Sequence, residues 1–71
     1  MHLTEIATII FPDLASGGEA VAEIRAAAGQ LALCVSLAHG SDVEVVLGPE
    51  DCEKLLAALQ RATLVVKGQA S

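Results

Sequence analysis

Aromatic side chains are nearly absent: Phe11 stands alone, without a Tyr or Trp in 71 residues. Bases and sugars therefore have no stacking platform. Basic residues are scarce too, four Lys and Arg against nine Asp and Glu, for a net charge of −5. Phosphate backbones are held by Lys and Arg, so direct nucleic-acid binding is not expected. No apolar run approaches the roughly 20 residues that a membrane span needs. The opening Met1-His2-Leu3-Thr4-Glu5 lacks the basic segment of a secretory signal. With only two cysteines, Cys34 and Cys52, the expectation is a reducing cytoplasm and no disulfide framework.

Apolar residues, by contrast, are in surplus. They make up 54% of the chain, against 18% charged. A chain of this length forms one domain, residues 1–71, and buries only about 60–65% of its unfolded surface. A homodimer or a partner-binding face is therefore expected to take up the remainder.

The most ordered pattern runs from Leu31 to Val66. In Leu31–Ala38 the large side chains fall at 31, 33, 35 and 37, the period-2 signature of a strand with one buried face. His39-Gly40-Ser41-Asp42 is rich in turn formers, with Gly40 free to adopt positive φ. A second alternating run over 42–47 directs Val43, Val45 and Leu47 one way and Glu44 and Val46 the other. Gly48-Pro49-Glu50-Asp51 then changes the periodicity. Proline suits the first helical position, and the carboxylates complement the positive end of the helix dipole. Cys52, Leu55, Leu56, Leu59, Ala62, Thr63 and Val66 recur at helical spacing, which predicts an amphipathic helix over 49–66. The hairpin 31–38/42–47 and this helix define an α+β fold with a small antiparallel β-sheet and the helix on one face.

The N-terminal half is less explicit. Leu3–Phe11 is rich in β-branched residues and predicts a further strand, with Ile6, Thr8 and Ile10 on one face. A short helix through Leu3, Ile6 and Ile10 competes with it. Pro12-Asp13 ends the element either way. Ala15-Ser16-Gly17-Gly18 reads as a loop and hinge, and the glycine pair lacks the residues that complete a phosphate-binding motif. Residues 19–28 fit either a helix or a third strand. Ser16 and Glu19 at capping-box spacing, the alanines, and Gly29 at a C′ position favour helix. Gly29-Gln30 as a hairpin turn favours strand. Propensity tilts the balance to helix. The polar end 67–71 is expected to be flexible.

Candidate chemistry is thin. His2, Cys34, His39 and Cys52 do not have the paired spacing of zinc ligands, so no metal and no cofactor is expected. Alternation puts Cys34 away from the core face, against a bond to Cys52. Cys52 lies near a helix N-terminus, where thiolates are stabilised, but Glu50, Asp51 and Glu53 oppose that. No catalytic set emerges, and the chain is not expected to be an enzyme. The feature that stands out is acidic: Asp42 and Glu44 share a strand face, and Glu50, Asp51 and Glu53 begin the helix. These five are the candidate partner-binding residues, suited to a protein with a basic surface, although solubility and helix-dipole complementarity explain them as well.

In size, charge sign, absence of a catalytic signature and α+β pattern, the chain resembles the small acidic inhibitors made by phages and mobile elements, anti-CRISPR proteins among them. The resemblance implies a stoichiometric inhibitor in the host cytoplasm, one that occludes a basic nucleic-acid site or a subunit interface. It transfers no residue role. The alternative is an assembly module or antitoxin-like subunit that dimerises through a sheet edge or an apolar face.

Overall fold

A computed structural model describes residues 2–69. The order is β1 (Thr4–Pro12), β2 (Glu19–Ala27), β3 (Gln30–Leu37), β4 (Asp42–Leu47) and α1 (Pro49–Val66). The strands form one antiparallel meander in the order β1-β2-β3-β4. The α+β expectation is met, and α1 has the bounds that its periodicity predicts.

Residues 19–27 are a strand, against the helical tilt of their propensity. Alternation explains the outcome. Ala20, Ala22, Ile24 and Ala26 share one face, while Val21, Glu23 and Arg25 share the other. Placed between β1 and β3, the segment pairs its backbone groups on both sides, which outweighs the few tenths of a kcal/mol per residue by which alanine prefers a helix. Ser16 does not cap a helix; its Oγ instead accepts a bond from the Gly18 amide at 3.2 Å. Gly29 turns the β2–β3 hairpin at φ 84°, a conformation that costs other residues about 1–2 kcal/mol.

The turn before β4 uses its glycine differently from expectation. Gly40 does not adopt positive φ. It is needed for close approach, since an added Cβ would lie 3.1 Å from the Leu37 Cβ. The N-terminal strand also departs from perfect alternation. A bulge between Glu5 and Ala7 breaks the register, so Ile6 falls at the irregularity. Beyond it, Ala7, Ile9 and Phe11 face the same side as Ile24, Ala22 and Ala20.

The loop expected to be a hinge is tied down. The Asp13 carboxylate accepts bonds from the amides of Ala15 (3.3 Å) and Ser16 (3.1 Å), and Asp13 and Gly18 are joined through their backbones. The Ser16 hydroxyl, and after it these amides, hold the Asp13 carboxyl below its ordinary value of 3.8. At the far end, the Gly68 amide bonds to the Val65 carbonyl and the Gln69 amide to that of Leu64, a Schellman stop. Of the tail expected to be flexible, residues 67–69 form this stop, and 70–71 lie outside the described residues.

The turns make distinct demands that mutation can separate. Gly29→Ala should lower stability to urea by about 1 kcal/mol, while Gly18→Ala, with φ outside the left-handed region and an added Cβ only in ordinary contact with the Ser16 Oγ at 3.5 Å, should be near neutral. Because the folded-state pKa of Asp13 is depressed, its stabilising effect is present above the ordinary carboxylate range and lost as pH falls below it. Asp13→Asn should therefore flatten the acid limb of the stability curve, measured by circular dichroism from neutral to acid pH.

Candidate functional site

Cross-strand register sorts the sheet into two unlike faces. On one, the rows are Thr4-Ala26-Leu31-Leu47, Ala7-Ile24-Leu33-Val45, Ile9-Ala22-Val35-Val43 and Phe11-Ala20-Leu37. No charged residue occurs in any of these rows. The helix lies over the first two: Cys52, Leu55, Leu56 and Leu59 bound an apolar cleft of about 200 Å³ with Ile24, Leu31, Leu33 and Leu47. The other two rows are open. Ile9 is 51% exposed, Val43 63% and Val35 42%. No helix residue is buried, and the apolar residues buried in the described fold are only Ala20 and Ala32.

The opposite face carries the charges. Its central row is Thr8-Glu23-Cys34-Glu44, flanked by Arg25-Ala32-Val46 and Val21-Ser36-Asp42. Arg25 pairs with Glu23 on its own strand (Nε–Oε1 3.4 Å) and reaches diagonally across β3 to donate from Nη2 to Glu44. Ala32, between Arg25 and Val46 in register, is 1% exposed. The small side chain leaves room for the long arginine stem, whose methylenes serve as local cover.

The five acidic candidates divide between two sides of the sheet. Asp42 and Glu44 lie on the charged face. Glu50, Asp51 and Glu53 begin the helix over the apolar one. Asp42 is also at the far end of β4, about 17 Å along the strand from Leu47. Within each set the structure adds a cation: Arg25 at Glu44, and Lys54 at Glu50 (3.8 Å) and Asp51 (4.0 Å). Asp42 and Glu53 have no ion-pair partner among the described residues. Sequence reasoning missed Glu23 and Arg25, whose shared face is legible only once residues 19–27 are read as a strand.

The remaining candidates do not converge. Cys34 lies on the charged face and Cys52 in the cleft beyond the other, and both are free thiols. Among the described residues no three His, Cys, Asp or Glu side chains are grouped to hold a metal ion. No helix there is long and apolar enough to cross a membrane. Comparison with protein families, characterised proteins and solved structures yields no match.

The Arg25 pairs are half-exposed and screened, so they should contribute at most about 1 kcal/mol. Glu44→Gln should cost less than Arg25→Ala, because it spares the stem beside Ala32. Urea titrations at low and high salt should show the Glu44→Gln loss vanish with salt and the Arg25→Ala loss persist.

Proposed function

We propose that this chain is a non-catalytic protein-interaction module, a subunit of an assembly, whose working surface is the open half of the apolar sheet face. One observation carries the proposal. Large side chains of the open rows, Ile9, Val35, Leu37 and Val43, are 41–63% exposed, while the buried apolar residues among those described are two alanines. Monomeric proteins scatter single apolar residues over their surface; contiguous rows of them mark contact sites.

A second reading keeps the acidic surface as the contact, occluding a basic partner in the manner of the anti-CRISPR-type inhibitors. The exposed helix start and the unpaired Asp42 and Glu53 favour it, as does the charge of −5. Paired carboxylates are already partly neutralised, which weakens Glu44, Glu50 and Asp51 as contacts.

Salt separates the two readings, because charge-led binding fades with ionic strength and apolar contact does not. In pull-downs with the tagged chain, association should survive high salt. It should also survive the combined reversal Glu44→Lys, Glu50→Lys and Glu53→Lys, and be lost in Val43→Glu. The reverse pattern, loss with salt and with the triple reversal but not with Val43→Glu, would transfer the function to the acidic residues.

A further inference from the structure

The occupant of the open apolar rows can be argued from area, shape and charge together. Compact monomers of 7.2 kDa expose about 4,100 Å². This chain exposes 5433 Å², an excess of about 1,300 Å² over that norm. Its radius of gyration is 13.8 Å, where a compact chain of this length has about 11 Å. A standard interface removes about 800 Å² from each partner, and permanent homodimers remove about 1,000 Å² or more. The surplus therefore matches what a stable dimer would bury.

Charge selects the partner. The open rows, carrying Ile9, Phe11, Val35, Leu37 and Val43, contain neither a charge to attract a basic surface nor a buried polar group awaiting a bond. Such a surface complements another like it, and the nearest supply is the same surface on a second copy. A two-fold interface needs this self-complementarity. It would also leave the charged face of each copy, with Glu23, Arg25 and Glu44, in solvent.

The sheet edges suit a second copy less well. The β1 edge is interrupted by the Glu5/Ala7 bulge and ends at Pro12. Antiparallel pairing of β4 with its copy about Glu44 would oppose like charges.

We infer that the open rows are covered by the same rows of a second copy, forming a two-fold homodimer with the sheets face to face and the charged faces outward. This rests on the reading of that face as the interaction surface.

The test is sedimentation of the full 71-residue chain at micromolar concentrations, with far-UV circular dichroism. The wild type should sediment at twice the 7.2 kDa chain mass, with a thermal midpoint that rises with concentration. Val43→Glu should raise the dissociation constant at least about a hundredfold, because a carboxylate would be buried unpaired. Should that variant lose its fold along with its partner, the wild type still decides. The methyl groups of Ile9 and Val43 should be shielded from a soluble paramagnetic agent in the dimer. A dimer whose Ile9 and Val43 methyls are relaxed by that agent, or a folded Val43→Glu that dimerises like the wild type, would overturn the inference. A wild type that stays at single-chain mass would overturn it too. In that case, binding of a hydrophobic dye abolished by Val43→Glu would preserve the interaction surface with a different partner, and no dye binding would remove both.

Discussion

The structure depends on a mismatch of widths. Four strands about 4.8 Å apart make a face about 19 Å across, and a helix of about 10 Å diameter covers only part of it. The face is apolar in all four rows, yet α1 shields little more than the two that contain Leu31 and Leu33. Nothing else in residues 2–69 is available to cover the rest. The chain thus folds into a layer and a half. The exposure of Ile9, Val35 and Val43 follows from that shortfall.

The distribution of charge follows from the same constraint. With one face given to apolar side chains, the acidic residues are confined to the other face, the turns and the outer side of the helix. There they meet too few cations. Arg25 serves two carboxylates and Lys54 another two, which leaves Glu5, Asp13, Glu19, Asp42 and Glu53 without an ion-pair partner among the described residues. The surplus keeps the outer surface negative and well hydrated, and makes edge-to-edge contact between copies costly. An exposed apolar face and an acidic opposite face are therefore two aspects of one arrangement. The alanines of β2 fit it as well. Their small side chains on the apolar face let larger neighbours in β1 and β3 close over them, as Phe11 and Leu37 do beside Ala20, which is 2% exposed.

Where the sequence was legible, each residue type had one geometric reading. Leucine and valine at every second position from 31 to 37 and from 43 to 47 specify a strand pair, and Pro49 followed by two carboxylates specifies a helix start. Both are local signals and match the structure in facing; the helix and the second strand match in extent, and the first strand runs one residue earlier, Gln30–Leu37. Residues 19–27 carried no such signal. Alanine on one face blurs the alternation that Glu23 and Arg25 mark on the other, and alanine content alone points to a helix. The acidic candidates suffered from a related ambiguity. Residues 42–53 are close in sequence, but a strand, a turn and a helix distribute them over two sides of a sheet.

The hairpin, the helix, the facing of Leu31 to Leu47 and the excess of apolar residues could be read before any fold was known, because each is written in spacing or composition. That residues 19–27 become a strand emerges only from the assembled sheet, since the deciding hydrogen bonds come from β1 and β3 rather than from neighbours in the chain. That sheet alone located the apolar surplus as well. Composition counts greasy residues without saying where they gather, and the register of three hairpins aligns them into rows that one helix is too narrow to cover.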